Sequence, residues 1–99
     1  MAALDNDSKM LQALASTITD LQVRYRAAKL EDQAILAGPL KEAMQDYDAF
    51  QAKLIKAGTI TTDEELKEIE AIQNSITANA GRQVLLLALS RAIALMAAA

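Results

Sequence analysis

The C-terminal stretch of the chain, residues 81–99, reads GRQVLLLALSRAIALMAAA. From residue 84 onward its apolar side chains cover roughly half of the circumference of a helix, at about 100° per residue. A helix that is apolar over so much of its surface is normally enclosed by protein or membrane. We therefore predict that this helix packs in the shared centre of an assembly. The residues predicted to form that interface are Leu85, Leu86, Leu89, Arg91, Ile93 and Met96.

Charge divides the chain into two unequal parts. All 13 acidic residues and eight of the 10 basic residues lie in residues 1–70, and the remainder carries only Arg82 and Arg91. The net charge is −3, and the acids and bases alternate without forming a basic face. Nucleic-acid binding needs such a face, so we predict no nucleic-acid partner.

The composition favours a single domain, residues 1–99, of closely packed helices. Twenty-one residues are alanine and only three are aromatic. Alanine is the best helix former, and its small side chain lets helices approach one another closely. The fold class predicted from this pattern is all-α: an antiparallel helical hairpin plus a long C-terminal helix, of the bundle or coiled-coil type.

Helix 1 is predicted to span residues 7–37, after a polar start at residues 5–8 that offers several N-caps. Its apolar positions alternate at spacings of three and four, which is the heptad pattern of a coiled coil. The positions on this seam, with one polar layer at Asp32, are Leu11, Leu14, Ile18, Leu21, Tyr25, Ala28, Asp32 and Ile35.

Helix 2 is predicted to span residues 39–57. Pro39 lacks the N–H that a helix interior needs but suits a first helical turn, so Gly38-Pro39 is expected to separate helices 1 and 2. Gly58 is expected to end helix 2. The seam of helix 2 consists of Leu40, Ala43, Tyr47, Phe50, Leu54 and Ala57.

Helix 3 is predicted to span residues 62–97. Thr61 or Thr62, followed three residues later by glutamate, predicts a capping box at its start. Ile69, Ile72 and Ile76 begin its seam, and strict continuation would place Asn79, Gln83 and Ser90 on that seam. Either the helix breaks at Gly81, or it continues and buries these polar layers. We favour one long element that is bent or loosened near Gly81.

Residues with catalytic chemistry are scarce, because the chain has no cysteine and no histidine. Glu65-Leu66-Lys67-Glu68 resembles the Glu-x-x-Glu spacing with which small all-α nucleotide pyrophosphatases of the MazG type hold magnesium. Those enzymes need a second acidic pair on a following helix, and no acid occurs after Glu70. We predict no catalytic residue, no metal site and no cofactor.

Arg91 lies among apolar residues, and a buried guanidinium needs either water or an acidic partner. All acids precede residue 71. We therefore expect Arg91 either to reach solvent or to meet an acid from the hairpin of a neighbouring subunit, for which Asp32, Asp46 and Asp48 are the candidates.

The ends of the chain carry no predicted targeting or spanning segment. The start, MAALDNDSK, lacks the basic and apolar regions of a secretory signal, so we expect synthesis in the cytoplasm. Residues 84–99 are shorter than the roughly 20 apolar residues of a membrane span. An amphipathic anchor lying on a membrane surface remains a third hypothesis.

The sequence thus predicts a non-enzymatic structural or assembly protein that forms a homo-oligomer through its C-terminal helix. At the level of fold it resembles the short helical subunits of secretion-apparatus needles and rods, or small virion components. The alternative is a small helical bundle that binds one protein partner, as a co-chaperone, an immunity protein or an antitoxin-like regulator does.

Overall fold

Four helices make up the computed structural model, which describes residues 5–57, 61–77 and 79–98. They are α1 (Asn6–Ala27), α2 (Leu30–Ala57), α3 (Asp63–Ser75) and α4 (Arg82–Ala98). The described residues contain no strand. The predicted all-α class is therefore confirmed. Gly58, expected to end helix 2, lies outside the described residues.

The helices form a four-cornered bundle that measures 44 × 22 × 22 Å. Among the described residues, α1 packs against α2 and α3, α4 packs against the same two helices, and α2 and α3 occupy opposite corners. Helix α1 is antiparallel to α2, since the Tyr47 hydroxyl donates to the Leu11 carbonyl at 3.4 Å and Gln33 Nε2 donates to the Tyr25 carbonyl at 2.9 Å. The predicted helical hairpin is thus present.

The core runs along the axis of the bundle, and all four helices contribute to it. Met10, Leu14, Ile69, Ile72 and Leu89 are at most 1% exposed. The predicted seams supply most of the core. The other buried members of this cluster are Leu21, Leu36, Leu40, Ala43, Phe50, Leu54, Ile76, Leu85, Ala88 and Met96.

The boundary between helices 1 and 2 was predicted in the wrong place. Helix α1 ends at Ala27 and α2 begins at Leu30, so Gly38 and Pro39 lie inside a continuous helix. Gln33 Nε2 donates to the carbonyls of Tyr25 and Arg26 in the last turn of α1, and the Tyr25 carbonyl also accepts from the Ala28 N–H at 3.2 Å. This side-chain cap replaces the glycine and proline signals on which the prediction relied.

Starting α2 at Leu30 also changes which side chains face inward. Ile35, predicted on the seam of helix 1, is 44% exposed, whereas Leu36 is 2% exposed. The proline within α2 costs one backbone hydrogen bond, the one that its missing N–H would donate to the carbonyl of Ile35.

The predicted single helix over residues 62–97 is divided in two. Helix α3 begins with the expected capping box, in which Glu65 N–H donates to Thr62 Oγ1 and Thr62 N–H donates to Glu65 Oε1. It ends at Ser75, and Ile76 turns inward as a buried residue. The favoured continuous helix was therefore wrong, and the alternative, a break near Gly81, is correct.

This break also changes the polar layers that a continuous helix would have buried. Asn79, Gln83 and Ser90 are exposed. Because the chain reverses between α3 and α4, the face of α4 that points to the core is not the continuation of the seam of α3. The polar side chains on that continuation therefore stay outside the core.

Replacing Pro39 with alanine tests whether α2 is continuous. Alanine restores the N–H donor and removes the ring clash, so we expect the free energy of unfolding to rise by about 1–3 kcal/mol. Urea denaturation followed by circular dichroism measures the change. If Pro39 were instead the first residue of a separate helix, the substitution would leave the stability unchanged or lower it slightly.

Candidate interaction surface

The six residues predicted to form an interface fall into three groups in the folded chain. Leu85, Leu89 and Met96 are 4%, 1% and 4% exposed, and they face α1, α2 and α3 of the same chain. Leu86 and Ile93 are half-buried at the edge of the core. The apolar face of α4 is thus covered without a second copy, and its role between chains stays a prediction.

The sixth residue, Arg91, has a partner within its own chain. Its Nε and Nη2 atoms both donate to Glu68 Oε1 of α3, at 3.1 and 2.8 Å. With 34% of its side chain exposed, Arg91 also reaches solvent, as one of the two expectations had it. The acid that it meets belongs to its own chain, a pairing that the prediction of one helix over residues 62–97 had left out. The turn after Ser75 brings α4 back beside α3, and Glu68 then lies opposite Arg91.

The second arginine of the C-terminal part pairs in a similar way. Arg82 Nη1 lies 3.3 Å from Asp32 Oδ1, at the end of the bundle where α2 and α4 begin. Asp32 had been predicted as a polar layer of a coiled coil. Both arginine pairs are partly exposed, with side-chain exposures between 27% and 45%, so each contributes little to stability.

A basic cleft of about 220 Å³ lies at this same end of the bundle. Arg24, Lys29 and Arg82 line it together with Asp32. Because Asp32 neutralises Arg82, an incoming anion would meet only two unmatched cations, one of which, Lys29, is exposed.

The two glutamates of the Glu-x-x-Glu spacing both interact with other residues of the chain. Glu65 completes the capping box, and Glu68 pairs with Arg91. Over residues 5–57, 61–77 and 79–98, no three or more acidic side chains converge to hold a metal ion. The Glu-x-x-Glu spacing therefore has a structural use in this chain.

The surface that sequence reasoning missed is the outer face of α2. Leu30 and Ile55 are 83% and 78% exposed, and Met44 is 41% exposed between them. Together with exposed small and charged residues at spacings of three and four, they form a stripe along the helix. We call this the outer stripe; its members are Leu30, Ala34, Ala37, Lys41, Met44, Asp48, Ala52 and Ile55.

The sequence contained a signal for this stripe. The 3–4 spacing is readable, but the predicted boundary at Gly38-Pro39 assigned Leu30, Ala34 and Ala37 to a different helix. Once α2 runs from Leu30 to Ala57, the outer stripe lies about 120° from the buried seam centred on Leu36 and Leu40.

A groove between α1 and α2 runs beside the outer stripe. Its volume is about 370 Å³, and Tyr25, Ala37, Leu40 and Met44 contribute to its largely apolar lining. Gln22 Nε2 of α1 donates to Met44 Sδ at 3.2 Å, which fixes the methionine at the edge of the groove. The stripe and the groove together offer another helix an elongated surface that is largely apolar and also carries Lys41 and Asp48.

Comparison of the chain with protein-family models, curated proteins and solved structures found no match. Within the part of the chain that the structure describes, no helix is both long enough and apolar enough to cross a membrane.

Alanine substitutions of two leucines, one on the buried face of α4 and one on its exposed face, test the orientation of this helix. Leu89→Ala should lower the free energy of unfolding by about 2–5 kcal/mol, because it leaves a cavity in the core. Leu87→Ala, at a position that is 59% exposed, serves as the matched control and should change stability by less than about 0.5 kcal/mol. Chemical denaturation measures both, and similar losses for the two variants would contradict the orientation of α4.

The pair of Arg91 and Glu68 can be tested by a double-mutant cycle. Arg91→Gln, Glu68→Gln and the double variant should give a coupling energy of about 0.2–1 kcal/mol, in keeping with a half-exposed pair. The coupling should fall at high salt, since ions screen exposed charges. A coupling near zero at low salt would argue against the contact between α3 and α4.

Proposed function

We propose that this protein is a non-enzymatic structural or assembly protein that acts by associating with copies of itself. The observation that carries the proposal is the outer stripe of α2, which stays exposed after the chain has completed its own core. Scattered apolar residues are normal on protein surfaces, but here three large apolar residues line up on one helix face, with alanines and two charged residues between them. Such a face can pack against another helix. In this proposal the chain is a subunit of a larger assembly.

The C-terminal helix has a supporting role in this proposal. Leu85, Leu89 and Met96 hold the bundle together, so a second copy that used them would first have to open it. Opening a packed core exposes apolar area at a cost of roughly 25 cal/mol per Å². The exposed stripe of α2 is available without that cost, which favours it as the surface through which folded copies associate.

The alternative function is a bundle that binds one dedicated protein partner. The groove beside Met44 favours it, because a groove between two helices is where an amphipathic helix of another protein commonly docks. The same surface would then serve a different chain, and the isolated protein would be a monomer.

Solution mass as a function of concentration separates these two functions. Sedimentation equilibrium of the full chain from micromolar to millimolar concentration should show a mass above the 10.6 kDa of one chain. Ile55→Glu should shift the association to higher concentration, because it places a charge in an apolar contact. Leu87→Glu, an exposed leucine outside the stripe, is the control and should associate like the wild type.

A wild-type protein that stays at the mass of one chain over the whole range would contradict self-association. The exposed stripe would then support the alternative function, in which the bundle binds one dedicated protein partner.

A further inference from the structure

We propose that the outer stripe of α2 pairs with the same stripe of a second copy in the antiparallel orientation, with Lys41 of each chain facing Asp48 of the other. The inference rests on the proposed self-association and specifies its partner surface and geometry. The resulting dimer has a two-fold axis that passes between Met44 and Gln45.

The apolar members of the stripe provide the attraction. Met44 and Ile55 are large exposed apolar residues of the stripe, and the second helix of the pair would cover them. Leu30 would lie past the end of the second helix, because position 30 pairs with position 59 in this register and α2 ends at Ala57. Helix α2 has 28 residues and is therefore about 42 Å long, which corresponds to about four heptads. The bundle already holds it in helical form, so pairing does not have to supply the free energy of helix formation.

The two charged members of the stripe determine the orientation. Lys41 and Asp48 are seven residues apart and lie on the same face of α2. In an antiparallel pair with its axis between residues 44 and 45, position 41 of one chain lies opposite position 48 of the other. Each lysine then meets an aspartate, and the contact occurs twice.

A parallel pair in the same register would bring like charges together. Lys41 would face Lys41 of the second copy, and Asp48 would face Asp48. Like charges across an interface disfavour that arrangement, so the same two residues that attract in one orientation repel in the other.

Small side chains on the stripe fit the same geometry. The two-fold axis places Ala37 opposite Ala52 of the second copy and Ala34 opposite Ile55. Alanine at these positions lets two helices approach closely, and the larger Ile55 then fills the space beside Ala34. The stripe is therefore complementary to itself both in charge and in size.

Charge reversal tests the pairing directly. Lys41→Glu and Asp48→Lys each convert two attractive contacts into two repulsive ones, so each variant alone should raise the dimer dissociation constant at least tenfold. Both residues are exposed, so circular dichroism and thermal melts should match those of the wild type. Glu42→Lys, a reversal at an exposed neighbouring position outside the stripe, is the control and should leave the dissociation constant unchanged.

Mixing experiments test the charge pairing, and exchange between the wild type and the double variant identifies the orientation. Equal amounts of Lys41→Glu and Asp48→Lys should form a heterodimer, since one stripe is then acidic and the other basic. The double variant Lys41→Glu/Asp48→Lys should recover the wild-type dissociation constant, because it restores both pairs in reversed form. Wild type and double variant should not exchange subunits, because antiparallel pairing between them would oppose lysine to lysine and acid to acid.

The results also separate this inference from the proposed function. If the wild type associates but both single variants associate equally well, the charge pairing is wrong and self-association stands. If the wild type and the double variant preferentially form mixed dimers, the helices are parallel and the antiparallel geometry is overturned. A monomeric wild type contradicts both proposals together.

Discussion

The structure depends on burying the apolar face of α4 against the other three helices. A chain of 99 residues with only three aromatic side chains has a thin core, so each buried aliphatic residue matters to its stability. Ala88 and Ala92 are buried on the same face of α4 as Leu85, Leu89 and Met96. These alanines let α4 lie close to its neighbours, and close packing compensates for the lack of bulky side chains.

Polar contacts at the two ends of the bundle fix the register of the helices. At one end, Asn6 Nδ2 donates to the Thr61 carbonyl and to Asp63 Oδ1, and Thr61 N–H donates to Asp7 Oδ1 at 2.9 Å. At the other end, Gln33 caps α1 and Asp32 meets Arg82. Hydrogen bonds are directional, so these contacts add to the core packing in selecting one alignment of the helices.

The sequence predicted the helical class, the capping box at Thr62 and most of the residues that face the core. These features depend on local spacing and on short-range hydrogen bonds, which a single sequence displays. The boundary at Ala28 could not be predicted, because its cap comes from Gln33, a residue with no intrinsic preference for that role. The partner of Arg91 could not be predicted either, since it depends on a reversal of the chain between Ser75 and Arg82. The outer stripe was missed because the boundary between helices 1 and 2 was predicted at Gly38-Pro39 and not at Ala28.

The diagonal placement of α2 and α3 has a consequence for the order in which the protein folds. Helices α1 and α2 are joined by two residues and α3 and α4 by a short turn, so each hairpin can form from local contacts. The bonds that join α1 to α3 link residues about 55 positions apart, as between Asn6 and Thr61. Closing a loop of that length costs more chain entropy than closing either hairpin, by about 0.6 kcal/mol for each doubling of length. We therefore expect the two hairpins to form before they dock, and the polar contacts between Asn6 and Thr61 to form only on docking.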